Sequence, residues 1–354
     1  MNPNLALTFL APFITALLIT PLVIKFAVKI GAVDKPDHRK VHQKVMPRLG
    51  GLAIFLGLVV GFFVSGMYTE QVTGIVAGVI LIVAVGFADD IYQLSAKWKL
   101  LGQLIAAGLV VGSGLMINVI SIPFMGAYDL GFLAYPVTVL WIVGITNAIN
   151  LIDGLDGLSA GVSSIVIGTI AVLAFVAAKI LILTIALIAL GATLGFLFHN
   201  FHPAKIFMGD VGSLLLGFII AIISLLGLFK SVTLFSFIVP IIILGVPIFD
   251  TLFAVIRRVV NKQPISAPDK SHLHHRLLAI GFSHKGAVLL IYSFSLLFSI
   301  SAIIFSSSTL LGSIVIIIAL VVVIEVLAEI IGLVHDEYKP FTSMFRKVLG
   351  REEN

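Results

Sequence analysis

Four short polar motifs interrupt the apolar stretches of this chain and carry most of the residues that could do chemistry. The most polar motif spans residues 146–157 and has an amide or a carboxylate at every third position. These residues are Asn147, Asn150, Asp153 and Asp156. Gly154 and Gly157 allow the backbone to leave helical geometry, and carboxylate and carboxamide oxygens are ligands that Mg²⁺ prefers. The motif therefore predicts a polar pocket for a hard cation, and the alternative is an ordinary loop in which Asp156 caps the next helix.

A second motif places two adjacent carboxylates, Asp89 and Asp90, at the end of an apolar stretch and shortly before Lys97 and Lys99. Two neighbouring carboxylates at a membrane boundary repel each other, and burial raises the cost of ionising both. A bound cation or a proton relieves this repulsion. A single Asp would fit a solvated helix end, whereas a pair followed by two lysines fits a metal–phosphate site better.

The third motif, residues 200–213, begins with Asn200 and carries Asp210 directly before another apolar stretch. The backbone amides at the start of the predicted helix favour anions. Asp210 is a candidate ligand-binding carboxylate, and the alternative is that it only caps the helix. Phe207 could stack on a nucleobase or anchor the chain at the membrane interface.

The fourth motif combines three histidines with an arginine, and these residues are His272, His274, His275 and Arg276. Such a cluster could bind zinc, but no Cys or acidic residue stands at a clean zinc spacing. A site for a phosphate or for sugar hydroxyls suits the mixture better. Upstream, Asp250 lies about two helical turns before Arg257, so we expect it to orient Arg257 or another basic group.

The composition predicts an all-α polytopic membrane protein that forms a single integral-membrane domain over residues 1–354. The chain is 60% hydrophobic and 11% charged, with a mean hydropathy of +1.19, and a soluble domain does not carry that much apolar surface. We expect about eleven transmembrane helices. The predicted spans are roughly 5–27, 50–67, 72–88, 99–118, 132–149, 158–177, 180–198, 212–229, 232–256, 286–306 and 309–334. The absence of Cys excludes disulfides and cysteine-ligated metals.

Basic residues are concentrated in the loops that follow the odd-numbered spans, and the alternate loops hold almost none. By the positive-inside rule, the N-terminus lies outside and the C-terminus is cytoplasmic. We expect no cleavable signal peptide, because Lys25 is the first lysine and a basic n-region is missing. Most charges of the first loop fit the loop rule alone, and Lys44 is a weak candidate phosphate ligand. Glu325 and Glu329 lie in the last span, where function and helix packing are equally good explanations.

This topology puts all four motifs on the cytoplasmic side, where they could form one cleft. Carboxylates, amides and basic side chains are what Mg²⁺-dependent phosphoryl transfer requires, and the membrane would supply a lipid as second substrate. A transporter or channel would instead carry its acids near mid-span. A non-catalytic scaffold would not need four polar motifs on one face. The basic excess suits anionic lipids and phosphorylated ligands, and we expect no nucleic-acid partner.

The motifs together resemble the polyprenyl-phosphate N-acetylhexosamine-1-phosphate transferases, in order and over nearly the whole chain. The matching runs are Asp89-Asp90, Asn147-x-x-Asn150-x-x-Asp153-Gly154-x-Asp156-Gly157, Phe207-Met208-Gly209-Asp210-x-Gly212-Ser213 and His272-x-His274-His275-Arg276. The His-x-His-His-Arg version resembles the bacterial branch that uses UDP-N-acetylglucosamine. Within that branch, the resemblance is nearest to enzymes that start the teichoic-acid linkage unit. Enzymes that transfer phospho-N-acetylmuramoyl-pentapeptide usually carry three adjacent histidines, which this chain lacks.

The resemblance also implies roles for individual residues. It matches Asp210 to a Mg²⁺ ligand and Asn150 to an amide near the same metal, where Mn²⁺ could replace Mg²⁺. It matches Asp89 and Asp90 to an acidic pair beside the phosphates, acting as base or as metal partner, and Lys99 to a phosphate contact. Other residues match positions around the nucleotide, and they are Asn147, Asp153, Asp156, Asn200 and Phe207. The His-x-His-His-Arg residues match a loop that helps to select the sugar and its phosphates.

The implied reaction is attack by the phosphate of undecaprenyl phosphate on the β-phosphorus of UDP-N-acetylglucosamine, with UMP as leaving group. The same chemistry on UDP-N-acetylmuramoyl-pentapeptide or on another UDP-sugar is the alternative, because specificity depends on a few pocket contacts. We expect the protein in the plasma membrane of a bacterium, with the active site facing the cytoplasm, and a homodimer would be unsurprising.

Overall fold

The protein is built almost entirely from helices, as seen in a computed structural model that describes residues 4–34, 45–66, 70–122, 126–228, 238–264 and 271–331. The helices of these residues are α1 (Leu5–Ile30), α2 (Gly51–Ser65), α3 (Glu70–Tyr92), α4 (Ala96–Gly112), α5 (Ala134–Leu151), α6 (Leu158–Val176), α7 (Ile180–Asn200), α8 (Gly209–Leu228), α9 (Ile238–Ile243), α10 (Gly245–Val260), α11 (Leu273–Ala279), α12 (His284–Ser306) and α13 (Leu310–Ile331). The strands are β1 (Val33–Asp34), β2 (Met46–Pro47), β3 (Val119–Ile122) and β4 (Gly126–Asp129).

Eight helices of the described residues are long and apolar enough to cross a membrane, which confirms a multi-pass membrane protein. They are α1, α3, α5, α6, α7, α8, α12 and α13. Helices α2 and α4 have 15 and 17 residues, and at 1.5 Å per residue they fall short of the roughly 30 Å of the hydrocarbon core. The ninth predicted span corresponds to two pieces, α9 and α10, and its first residues lie outside the described part of the chain. Eleven crossings therefore stay a prediction.

Two short antiparallel strand pairs correct the all-α prediction in detail. Strand β1 pairs with β2 in the register Val33↔Pro47, which joins the two ends of the first basic loop. Strand β3 pairs with β4 in the register Val119↔Asp129, within the connection between α4 and α5. The strands are two to four residues long, too short to produce a readable alternation of polar and apolar residues.

Several threonine hydroxyls inside the apolar helices bond to the backbone of the same helix. Thr20, Thr138, Thr146 and Thr193 each donate a hydrogen bond to the carbonyl oxygen four residues earlier, at 2.6–2.7 Å. An unpaired polar group in lipid or in a helix interface would cost several kcal/mol. Because these hydroxyls are satisfied locally, the spans can carry them at buried positions without a partner from another helix.

Helix α8 is the central element that positions the site, because it is almost fully buried and packs against α2, α3, α5 and α6. Glycines allow its backbone to approach these neighbours closely. A Cβ on Gly51 of α2 would overlap the backbone of Gly212, and a Cβ on Gly86 of α3 would lie 2.6 Å from the Cα of Val211. The first turn of α8 is therefore clamped between α2 and α3, with Asp210 in that turn.

We expect Gly51→Ala to destabilise the protein by about 1–3 kcal/mol, because overpacking forces backbone shifts of that cost. The matched control is Gly108→Ala in α4, where a Cβ meets nothing within 4 Å among the described atoms. Alanine should be neutral or slightly stabilising there, since it favours a helix by roughly 0.5–1 kcal/mol over glycine. Thermal unfolding of both variants in the same detergent measures the difference. Equal midpoints would contradict the close contact between α2 and α8.

Candidate active site

A polar cavity of about 630 Å³ opens where α5, α7, α8 and the start of α12 meet. Its volume lies within the range typical of small-molecule sites, which is about 300–1,000 Å³. Seven of the predicted site residues, taken from the described part of the chain, line it. They are Asn150, Asp153, Asp156, Asn200, Phe207, Asp210 and His275. The polar motifs that are far apart in sequence therefore share one pocket.

Two carboxylates from different helices contact one lysine beside this cavity. The Nζ atom of Lys99, near the start of α4, lies 3.3 Å from Oδ2 of Asp89 at the end of α3. The same ammonium forms an ion pair with Asp210 at the start of α8. The fold thus brings Asp89, Asp210 and Lys99 together at one place.

Asp90 has a different environment from its neighbour Asp89. Its carboxylate accepts hydrogen bonds from the backbone N–H groups of Asp210 (3.0 Å) and Val211 (3.1 Å). Nη2 of Arg48 lies 3.5 Å from the same carboxylate, which is almost fully buried. Asp90 therefore caps the N-terminus of α8 from another helix and orients the turn that carries Asp210.

Asn150 lies at the end of α5, opposite the first turns of α8. Its Nδ2 atom donates a 2.7 Å hydrogen bond to the hydroxyl of Ser213, and that hydroxyl donates to the carbonyl oxygen of Gly209 at 3.1 Å. Because the amide nitrogen is used in this way, the carboxamide oxygen is the atom of Asn150 that remains to bind a ligand.

The charge balance of this region fits a divalent cation. Within the described part of the chain, two cations, Arg48 and Lys99, lie near the four carboxyl groups of this cluster. These carboxyl groups belong to Asp89, Asp90, Asp153 and Asp210. The pKa of Asp153 is raised to about 8, chiefly by burial and also by repulsion from Asp210 and Asp90, while Arg48 opposes these effects. A carboxyl group that keeps its proton for lack of positive charge is a group that a bound cation would ionise. The carboxylates of this cluster and the carboxamide of Asn150 offer hard oxygen atoms, which Mg²⁺ prefers.

Asp156 joins two loops through its carboxylate. Its Oδ2 atom accepts hydrogen bonds from Nδ1 of His202 (2.9 Å) and from the N–H of Ala204 (3.0 Å). Its own N–H donates to Nε2 of His284 at 2.9 Å. The alternative that Asp156 caps α6 is wrong, because the N-cap residue is Gly157 and no side chain caps the helix there.

Asn200 and Phe207 shape the wall of the pocket. The buried Asn200 accepts a hydrogen bond from the N–H of Gly157 (3.1 Å) and donates one to the carbonyl of Ile206 (2.9 Å). The N–H of Phe207 donates to the carbonyl of Pro47 at 2.8 Å. Asn200 thus ties the loop before α6 to the loop after α7, and the contact with Pro47 fixes Phe207 at the cavity.

The first histidine of the fourth motif is held away from the cavity by Asp250. Nδ1 of His272 lies 2.9 Å from Oδ2 of Asp250, and the N–H of Leu273 donates to the other carboxylate oxygen at 2.7 Å. Both His272 and Asp250 are buried. Asp250 therefore orients the ring of His272 and the start of α11.

The other three residues of the fourth motif, His274, His275 and Arg276, have different surroundings. The buried ring of His274 packs against Gly154, where an added Cβ would overlap it, and His275 lines the cavity. Burial lowers the pKa of His274 to about 3, and repulsion from His275 contributes. His274 is therefore neutral at pH 7 and contributes shape and hydrogen bonding rather than charge. Arg276 lies on α11, one helical turn after its N-cap residue His272.

Among the predicted site residues that the structure describes, Asn147 does not line the cavity. Asn147 is one turn before Asn150 in α5, and its Nδ2 atom donates to the carbonyl of Val143 at 2.8 Å and to Gln103 of α4. The structure thus gives Asn147 a role in joining α4 to α5. Lys44 lies outside the described residues.

Sequence reasoning assigned no site role to four charged or ionisable residues that line the cavity, namely Asp34, Arg48, His202 and His284. Arg48 lies two residues before the pair Gly50-Gly51, and His202 lies within the third motif. Both therefore stand in polar stretches whose composition indicated a site. His284 is a single histidine at the start of an apolar helix, and only the folded chain brings it beside Asp156.

Comparison with known proteins finds relatives whose shared region includes the residues of this site. The family described as Glycosyl transferase family 4 matches residues 72–228, the part that carries the acidic pair, the motif before α6 and Asp210. Over 350 residues, 98% of each chain, the sequence is 57% identical to a protein of Bacillus subtilis (strain 168) named a probable undecaprenyl-phosphate N-acetylglucosaminyl 1-phosphate transferase. The chain belongs to glycosyl transferase family 4.

Relatives that are named for other activities are more distant from the chain. It is 35% identical over 326 residues, 82% of this chain and 79% of the relative, to a decaprenyl-phosphate N-acetylglucosaminephosphotransferase of Mycolicibacterium smegmatis. It is 34% identical over 321 residues, 84% of this chain and 96% of the relative, to a phospho-N-acetylmuramoyl-pentapeptide-transferase of Halalkalibacterium halodurans. The gap between 57% and 34% identity favours the N-acetylglucosamine branch.

Proposed function

We propose that this protein transfers N-acetylglucosamine 1-phosphate from UDP-N-acetylglucosamine to undecaprenyl phosphate. The products are undecaprenyl-diphospho-N-acetylglucosamine and UMP, and the reaction is the first membrane step of teichoic-acid or related cell-surface polysaccharide synthesis. The 57% identity over nearly the full length of both chains carries the proposal. The convergence of Asp89, Lys99 and Asp210 beside a polar cavity supports it independently.

The proposed cofactor is Mg²⁺, with Mn²⁺ as an ion that the same ligands could accept. Asp210 and Asn150 would hold it, because both line the cavity and both carry side-chain oxygen atoms. When bound, the ion supplies positive charge that neutralises the diphosphate and the charge developing at its β-phosphorus. Asp89 would support this site by sharing Lys99 with Asp210.

The chain's own side chains then bind and orient the reacting phosphates. Lys99 and Arg48 supply cationic donors at the cavity, as phosphoryl transfer requires. An oxygen of the lipid phosphate forms a bond to the β-phosphorus, and the bond from that phosphorus to the bridging oxygen breaks, so the oxygen and its electrons leave with UMP. The lipid phosphate is already ionised at neutral pH, so a strong general base is unnecessary.

The donor's nucleotide and sugar are assigned to the rest of the cavity wall. Phe207 offers an aromatic face for a base, whereas Asp153, Asp156 and Asn200 surround the same space. His275 is the member of the fourth motif best placed to contact the sugar or its phosphates, since it lines the cavity. The alternative donor is UDP-N-acetylmuramoyl-pentapeptide, whose transferases are less similar to this chain.

The proposed orientation has the N-terminus outside, eleven crossings and the active site at the cytoplasmic face of a bacterial plasma membrane. The distribution of Lys and Arg among the loops supports this orientation. UDP-sugars would reach the cavity from the cytoplasm, whereas the acceptor lipid would reach it from the bilayer. A homodimer through membrane helices is proposed as the oligomeric state.

We expect the purified protein in detergent to release UMP from UDP-N-acetylglucosamine when undecaprenyl phosphate and Mg²⁺ are present. EDTA should stop the release, and excess Mg²⁺ should restore it, because the phosphates require a divalent ion. UDP-N-acetylmuramoyl-pentapeptide offered alone should give no release. A coupled assay for UMP, with extraction of the lipid product, measures both outcomes.

Each result of this assay has a distinct meaning. Release from the pentapeptide donor only would keep the family and overturn the assignment of the donor. Release that is unaffected by EDTA would overturn the assignment of the cofactor. Absence of release from both donors, in protein shown to be folded, would overturn the proposed reaction.

A further inference from the structure

A second group of potential metal ligands lies in the cavity beside the carboxylate cluster. Asp156, His202 and His284 each offer one ligand atom, and these atoms all lie within 4.8 Å of one another. All three residues are half-buried and line the cavity. They come from three separate parts of the chain, which are the loop before α6, the loop after α7 and the first residue of α12.

The existing contacts of these side chains resemble those of a site prepared for a metal. Nδ1 of His202 lies 2.9 Å from Oδ2 of Asp156, within hydrogen-bond distance, and a metal ion can bind two such atoms in place of the hydrogen between them. Nε2 of His284 accepts a hydrogen bond from the N–H of Asp156 at 2.9 Å. Nε2 is therefore the unprotonated nitrogen of this ring, and a metal ion would bind it in place of the hydrogen bond from Asp156. The two rings stack with their centroids 4.5 Å apart.

The ligand set distinguishes this group from the oxygen-rich cluster around Asp210. Two imidazoles and one carboxylate are typical of borderline ions such as Zn²⁺, whereas Mg²⁺ prefers oxygen alone. Zinc bonds of about 2.0–2.2 Å place tetrahedral ligand atoms roughly 3.5 Å apart, so small side-chain movements from the observed spacing would suffice. Three protein ligands leave one coordination position for water or for a phosphate oxygen in the cavity.

We propose that Asp156, His202 and His284 form a second divalent-metal site that takes Zn²⁺ or a similar transition-metal ion. The site is separate from the carboxylate cluster and shares its cavity. Its competing explanation is a purely structural tie, in which the same hydrogen bonds only join the loop before α6 to the start of α12. The two explanations differ in whether a metal ion binds with the protein's own affinity and stoichiometry.

The test measures Zn²⁺ binding to the full-length protein in detergent, purified with a tag that contains no histidine and then stripped with a chelator. Millimolar Mg²⁺ is kept present so that the oxygen site is occupied. Competition with a fluorescent zinc indicator gives the affinity and the stoichiometry. Co²⁺ provides a second readout, because its visible absorption reports tetrahedral coordination by nitrogen and oxygen ligands.

The variant His202→Asn keeps a donor toward Asp156 while removing the imidazole ligand, so folding should be preserved. We expect it to weaken Zn²⁺ binding by at least about 10–100-fold, as loss of groups that support a metal does. His284→Gln should do the same through a different loop. The matched control is His275→Gln, which removes a cavity histidine outside the group and should leave the affinity and the Co²⁺ spectrum unchanged.

Wild-type protein that binds one Zn²⁺, with binding lost in both ligand variants and kept in the control, supports the site. Equal Zn²⁺ affinity in wild type and in both ligand variants, or absence of Zn²⁺ binding in all of them, overturns it in favour of the structural tie. Equal loss in His275→Gln also overturns it, because the ligands would then not be those three residues. Neither donor nor lipid is present, so failure here leaves the proposed transfer reaction unaffected.

Discussion

Asp210→Asn is expected to abolish Mg²⁺-dependent release of UMP, with kcat lowered by at least about 100-fold, while the protein still folds. Asp210 is the carboxylate in the first turn of α8, where it lines the cavity and pairs with Lys99. The amide is nearly isosteric, but it removes one negative charge and one strong oxygen ligand for a hard cation. Losses of about 10²–10³ are typical when one preorganised charge-stabilising group is removed.

The measurement compares kcat at saturating donor and the Mg²⁺ concentration that gives half-maximal rate. Asp210→Asn should lower the rate, and the residual rate should need more Mg²⁺ than wild type. The matched control is Asp129→Asn on the exposed strand β4, where Asp129 only accepts a hydrogen bond from the N–H of Gly131. A wild-type rate and an unchanged Mg²⁺ requirement in Asp210→Asn would remove this residue from the proposed metal site.

Patterns that depend on local sequence led to correct predictions of structure. The apolar stretches predict the long helices, because a spanning segment needs about twenty apolar residues whatever surrounds it. The glycine pair before α2 predicts a close backbone approach, and Gly51 does meet the backbone of α8. The amide-and-acid motif predicts a pocket wall, and Asn150, Asp153 and Asp156 do line the cavity.

The contacts of individual site residues with partners distant in sequence could not be predicted from local sequence patterns. Asp89 and Asp90 are adjacent and chemically identical, yet the helix turns their carboxylates toward different partners, one to Lys99 and one to the amides of α8. His284 lies outside all four polar motifs, and it reaches the site only because α12 begins beside the loop before α6. Asn147 shares its motif with Asn150, but its position one turn earlier faces Gln103.

The contrast between Asp89 and Asp90 leads to the second prediction with a large expected effect. Asp89→Asn should lower kcat by at least about 10-fold with little change in stability, because its carboxylate acts through Lys99 at the site. Asp90→Asn should mainly destabilise the protein, by about 1–2 kcal/mol, which is typical of a lost helix cap. An amide at residue 90 would turn its NH₂ group toward a backbone donor or toward Arg48, and the buried N–H groups of α8 would lose an acceptor.

Thermal unfolding in detergent and initial rates, measured on the same preparations, separate the two effects. For Asp89→Asn, the rate should also be measured at increasing pH, because a loss that persists at high pH argues against simple deprotonation of the acceptor by Asp89. Arg48→Lys tests the other side of the cap, since it keeps the charge but loses the planar donor geometry, and it should lower stability in the same direction as Asp90→Asn. If instead Asp90→Asn keeps wild-type stability and loses only rate, its carboxylate acts on the substrate, and the cap seen at α8 contributes little to the fold.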